Sequence, residues 1–167
     1  MMRFFLTIEQ TALSVWVRES PSLLAFPFIL YLHTLGLAML AGINVGLAVW
    51  LIAARTVPSF DFAGVYRVMW LGFGVNALSG LVLLAAYPAK ALTNWVFFAK
   101  LVLVALALWT LEQTKGEIAV AAGTAVRAVT PRARKLAWLS LLFWGGTILA
   151  GRLLAYTHHI LLASEGF

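Results

Sequence analysis

The sequence predicts an all-α integral membrane protein, a bundle of four spanning helices preceded by a short amphipathic helix at the membrane surface. Three observations predict it. Of 167 residues, 63% are hydrophobic and only 11% are charged, and the mean hydropathy is +0.96. A water-soluble domain carries about 25% charged residues. The apolar residues fall in long blocks, and since a spanning helix needs about 20 of them, the chain has room for four spans and little else. The whole of 1–167 reads as one transmembrane domain with the lipid bilayer as its first partner.

Residues 4–19 read as the interfacial helix. Thr7 and Gln10 have capping-box spacing, Leu13, Trp16 and Val17 share a face, and Glu9, Arg18 and Glu19 are polar. Span one covers about 22–54, with Ser20 as N-cap, Pro21 in the first turn and Pro27 expected to kink the helix from inside. Span two covers about 62–87 and stops at Tyr87-Pro88. Span three covers about 92–112, from Thr93-Asn94-Trp95 to Glu112. A basic linker, 113–135, follows, and its small, alanine-rich stretch 118–129 suits a surface helix. Span four covers about 136–162.

The linkers after spans one and three, with their flanks, hold Arg55, Arg67, Lys115, Arg127, Arg132, Arg134 and Lys135, against Arg3, Arg18 and Lys90 on the other side. The excess of Lys and Arg predicts that the first side is cytoplasmic and that both termini are periplasmic, in a bacterial inner membrane. Trp16 and Trp95 then lie near the outer interface and Trp50, Trp109 and Trp138 near the inner one, while Trp70 and Trp144 are deeper and expected to pack. The run Phe4-Phe5-Leu6 is too short for a cleavable signal.

Several function classes drop out. With no cysteine there are no disulfides, thiolate metal sites or covalently attached c-type haem. The net charge of +6 flanks the apolar blocks instead of forming a patch, so no nucleic-acid partner is expected. There is no nucleophile–base–acid constellation, Ser79 has no histidine expected nearby, and no His-x-x-x-His pair or carboxylate cluster suits a hard metal. Gly42-x-x-x-Gly46 reads as packing within the bundle, and Asn44 between them as an interhelical hydrogen bond.

Polar groups at depth are costly and tend to be functional. Counting from the span ends at 1.5 Å per residue, His33 lies roughly 15 Å deep, and Asn76, Lys100 and Arg152 fall within about 5 Å of its level. Each span thus contributes one strongly polar residue to a common plane. Two are cationic, and the acidic residues Asp61, Glu112, Glu117 and Glu165 belong near the surfaces. The cations need snorkelling, deprotonation or a bound anionic group. Haem propionates would satisfy Lys100 and Arg152 and leave His33 for the iron. Gly36, one turn away, would let a flat macrocycle approach the backbone. The competing role for His33 is a neutral core histidine bonded to Asn76 or a carbonyl. A second iron ligand is less defined: His158 and His159 lie nearer the surface by roughly 9 Å, and His159 shares a face with Arg152 and Tyr156.

The segments Ser14–Ser22 (SVWVRESPS), His33–Gly42 (HTLGLAMLAG), Trp70–Gly80 (WLGFGVNALSG) and Phe97–Leu108 (FFAKLVLVALAL) resemble a family of uncharacterised small bacterial membrane proteins with four spans. More distantly, the early histidine with its glycine-ended apolar run, and the Lys-Leu of span three, are similar to the copper-resistance CopD type and to the HemJ-type protoporphyrinogen oxidases, four-helix proteins that bind b-type haem. The likeness implies a haem role for His33 and Lys100. Trp109 and Thr110 stand where the haem-binding type has a histidine near the end of span three.

The resulting expectation is a membrane protein binding haem b, serving electron transfer or as a redox accessory subunit. His33 would ligate iron, Lys100 and Arg152 would hold propionates, Asn76 would orient the imidazole, and His159 is the candidate second ligand. The alternatives are a cofactor-free subunit packing against other membrane subunits or a second copy, and a component of a small anion or metal transporter.

Overall fold

The computed structural model describes residues 7, 9–57, 62–123 and 128–164, leaving aside the side chains of 89–90 and 155–164. Its helices are α1 (Ala12–Glu19), α2 (Phe26–Ala53), α3 (Ala63–Ala86), α4 (Pro88–Leu92), α5 (Trp95–Ala122) and α6 (Pro131–Ser164). Four stretches are long and apolar enough to cross a membrane: α2, α3, α5 and the Pro131–Leu154 part of α6. The fold is an all-α four-helix bundle, and the chain is a multi-pass membrane protein.

Of the expected helix over 4–19, residues 4–6 and 8 lie outside the described residues, Thr7 and Glu9 are helical, and α1 begins at Ala12. The N-cap of α1 is Thr11, whose Oγ1 accepts from the Ser14 amide at 3.4 Å. Ser14 and Val17 are buried, while Leu13 and Trp16 face outward. Ser14 Oγ donates to the Ala85 carbonyl at 2.8 Å and Arg18 Nη1 to the Ala86 carbonyl at 3.4 Å. These carbonyls end α3 and have no partner within their own helix, and a cation suits that end of the helix dipole.

α2 starts at Phe26, not at 22, and the expected kink disappears for that reason. Pro27 occupies its first turn, where a missing amide costs nothing. Ser20 ends α1, its amide donating to the Trp16 carbonyl, and Ser20 and Ser22 close local turns through their hydroxyls. The irregularity of α2 lies elsewhere, in a π-helical turn at Ala38–Gly42. A π turn adds one residue, which rotates the buried face by about 100°. Before this turn α2 packs on α3; after it α2 packs on α6.

α3 ends at Ala86, as the Tyr87-Pro88 pair predicts. Asn94 caps α5, its Oδ1 accepting from the Val96 amide at 3.0 Å. α5 does not stop at Glu112 but continues to Ala122. α6 begins at Pro131, behind Thr130, whose Oγ1 accepts from the Ala133 amide at 3.0 Å. The expected linker 113–135 is therefore mostly the ends of two helices. Hydropathy marks where a helix leaves lipid, and a helix need not end there.

The links after α2 and α5 meet at one end of the bundle, the basic end. The Val129 amide donates to the Arg55 carbonyl, Arg134 Nη2 to the Ala54 carbonyl at 3.1 Å, and Thr130 Oγ1 to Glu117 Oε2 at 2.7 Å. Arg132 Nε lies 3.4 Å from Glu117 Oε1. Ala48, Leu51, Val57, Ile118, Ala121, Val129, Ala133 and Ala137 pack beneath them. A second core, Leu40, Ala41, Tyr66, Met69, Ala107, Leu111 and Trp144, joins all four spans near the middle.

Candidate functional site

Toward the opposite, terminal end, α2 and α3 touch backbone to backbone. A Cβ placed on Gly36 would lie 2.5 Å from the Asn76 amide nitrogen and 2.6 Å from the Gly72 carbonyl oxygen. One on Gly72 would lie 2.6 Å from Met39 Cβ. The expected role of Gly36, an approach surface for a macrocycle, is thereby excluded: the second span already occupies that surface. Gly42 and Gly46 show the reverse, with nothing within 4 Å of an added Cβ, so they do not pack within the bundle as expected.

The close approach at Gly36 sets His33 against α3. His33 Nδ1 lies 2.9 Å from the Asn76 carbonyl oxygen and 3.3 Å from Ser79 Oγ. A carbonyl only accepts, so Nδ1 carries the proton and donates. Asn76 Nδ2 donates in return to the His33 carbonyl at 2.7 Å. Ser79 Oγ sends its own proton to the Val75 carbonyl at 2.6 Å or the Asn76 carbonyl at 3.1 Å. A Cβ on Gly80 would come 3.0 Å from His33 Cε1, so the absent side chain is what seats the ring. With Nδ1 fixed as donor, Nε2 holds the lone pair, and among the described residues it has no hydrogen-bond partner. That tautomer, set by a backbone acceptor, is the form in which histidine ligates metals.

Sequence reasoning pairs His33 with Asn76, and the structure brings them together, the His33 ring on the Asn76 backbone carbonyl and the Asn76 side chain on the His33 backbone carbonyl. It also supplies Ser79, for which no histidine was expected nearby. The signal for Ser79 lay in its spacing: Asn76, Ser79 and Gly80 are three and four residues apart and share a helix face.

Lys100 on α5 is partly buried. Its Cε lies 4.0 Å from where a Gly151 Cβ would be, so its stem runs beside α6. Among the described residues Lys100 has no salt bridge and no hydrogen bond. Arg152, next to Gly151, is exposed and, among the described residues, forms no ion pair or hydrogen bond with His33 or Lys100. Of the expected plane of four polar residues, the structure bonds His33 to Asn76 and sets Lys100 beside Gly151. The side chains of His158 and His159 lie outside the described residues.

Among the described residues, three buried polar atoms lack partners: Tyr66 Oη, Trp144 Nε1 and Thr147 Oγ1. Trp144, Thr147 and Gly151 recur at helical spacing along one face of α6. Indole N–H and ammonium only donate, and the hydroxyls can donate too, so the interior has donors to spare and too few acceptors. Asn44, by contrast, is satisfied, accepting through Oδ1 from Ser140 Oγ on α6. Among the described residues no three His, Cys, Asp or Glu side chains gather to hold a metal ion.

The class that fold and site define is a four-span helical membrane protein with an anchored intramembrane histidine and a partly buried lysine that has no ion pair among the described residues. No family model, no characterised protein and no solved structure matches the chain.

Proposed function

We propose that this is a b-type haem-binding membrane protein serving one-electron transfer or as a redox accessory subunit. The observation that carries the reading is the fixed tautomer of His33, with Nδ1 spent on the Asn76 carbonyl and the Nε2 lone pair unspent. A bare metal ion needs three or four protein ligands, which the described residues do not gather. Haem iron takes four nitrogens from its own macrocycle and needs one or two from the protein. Lys100 and the unpartnered donors supply what carboxylate propionates would accept. The bound group would provide the one-electron chemistry; the chain would hold, orient and shield it. The positive-inside rule puts the basic end in the cytoplasm and the termini outside, which in a bacterial inner membrane puts His33 nearer the periplasmic face.

The test is one absorbance spectrum of the detergent-purified protein, oxidised and reduced. A Soret band that shifts on reduction, and that His33→Ala abolishes, is expected. A protein without the band, under conditions that retain haem in control cytochromes, removes the reading. Orientation is tested separately. The chain has no cysteine, so Ser20→Cys and Arg132→Cys give single reporters. A membrane-impermeant maleimide should label Ser20→Cys in intact cells and not Arg132→Cys; the opposite pattern reverses the topology.

A further inference from the structure

A second feature lies away from His33, at the basic end between α3 and α5. There Ala63, Tyr66, Arg67, Trp70, Leu71 and Lys115 line a crevice of about 600 Å³. Lys115 is twenty residues into α5, about 30 Å from its start, which sets it at the far interface of a bilayer core that is itself about 30 Å thick. Arg67 lies one turn into α3, at the same end. Trp70 was expected to be a packing residue, but it is 41% exposed and Leu71 is 65% exposed, so the crevice has one apolar wall open to lipid.

The charges do not cancel. Lys115 Nζ lies 3.7 Å from Glu112 Oε2 and 5.5 Å from the centre of the Tyr66 ring. Arg67 is exposed and has no ion pair or hydrogen bond among the described residues. Two cations and one carboxylate leave a single positive charge. Tyr66 lines the crevice, is only 6% exposed, and its hydroxyl is buried without a partner, which is costly for a group able to donate. One monoanionic group at this level would balance the charge, against a crevice wall formed by Tyr66.

We propose that this crevice binds the phosphodiester headgroup of an anionic phospholipid, with Arg67 and Lys115 on the phosphate and an acyl chain along Trp70 and Leu71. Snorkelling of the two basic side chains to the interface explains their position but not the crevice between them. Basic pockets between membrane helices at the cytoplasmic interface bind acidic headgroups for the same electrostatic reason. The apolar wall favours a lipid over free phosphate, which has nothing to place there.

The full chain in detergent is titrated with dioleoylphosphatidylglycerol or dioleoylphosphatidylcholine, and bound lipid is counted by native mass spectrometry. The phosphatidylglycerol should bind about fivefold or more tightly than the zwitterionic lipid, as one basic contact near a membrane surface implies. Arg67→Gln should abolish most of that preference, and Lys115→Gln should reduce it. Arg134→Gln, at the same end but outside the crevice, should leave it intact. Equal binding of the two lipids, or a preference that survives both crevice variants, overturns the proposal. Displacement of the lipid by millimolar inorganic phosphate would reassign the site to a free anion and overturn the lipid assignment. Helix content by circular dichroism identifies a misfolded variant, and the other crevice variant then decides.

Discussion

The two ends of this bundle are built differently. At the basic end the later half of α2 buries Asn44, Ala48 and Leu51 against α6, and residues from the links between spans close over them. In the terminal half, Phe26–Leu37 of α2 buries only Gly36, and α5 buries nothing between Val96 and Ala107. Helices in lipid gain nothing from apolar contact as such; they associate through close packing and hydrogen bonds. The basic end has both, in its small alanines and the Asn44–Ser140 bond. In the terminal half the closest backbone approach runs along one seam, between α2 and α3, and that seam holds His33. The open half is therefore where the chain keeps an imidazole with a free lone pair and an ammonium with no counter-ion. Four interchangeable apolar helices would have no reason to leave such groups together.

The largest expected effect tests the seam itself. Gly36→Val puts side-chain atoms against backbone of α3, at 2.5 and 2.6 Å already for the first carbon. Backbone cannot swing aside as a flexible side chain can, so the cost should reach about 3 kcal/mol, read as a lowered unfolding midpoint in detergent. Gly42→Val, six residues along the same helix and facing open space, should change stability by less than about 0.5 kcal/mol. Equal effects would mean that the close approach of α2 and α3 is wrong and, with it, the anchoring of His33.

Much of this architecture could be read from the sequence because the bilayer imposes a length scale. Four apolar blocks of spanning length require four helices, and the stop at Tyr87-Pro88 and the cap at Asn94 are local chemistry. Depth was readable for the same reason: a count of residues places His33, Asn76 and Lys100 at one level. Direction was not. A helix apolar all round has no polar face to orient it, so nothing in the residues told exposed Arg152 and Trp70 from partly buried Lys100. The π turn at Ala38–Gly42 carries no recognisable signal either, yet it decides that α2 changes partner halfway. The ends of α5 and α6 were missed because hydropathy follows lipid, while the helices follow caps such as Thr130. Gly36 was correctly picked out and wrongly explained, since a missing Cβ admits a neighbouring backbone as readily as a ligand.

A smaller effect, with a sign that depends on what fills the open half, is expected at Lys100. In the haem-free protein its ammonium has no acidic partner among the described residues, and a charge held inside the bilayer is costly unless it snorkels to the interface. Lys100→Met keeps an unbranched stem against Gly151 and removes that cost, so the haem-free protein should gain about 1–2 kcal/mol. If the lysine holds a propionate, the same substitution should weaken haem retention, seen as faster loss of the Soret band to an apomyoglobin trap. The comparison of ends predicts these opposite signs because the cation is a burden to the empty bundle and a contact in the filled one. A variant less stable than the parent when haem-free would show that a group within the protein already satisfies Lys100. A lone substitution at the basic end, such as Ser140→Ala, should give no such reversal, since its partner Asn44 is internal and permanent.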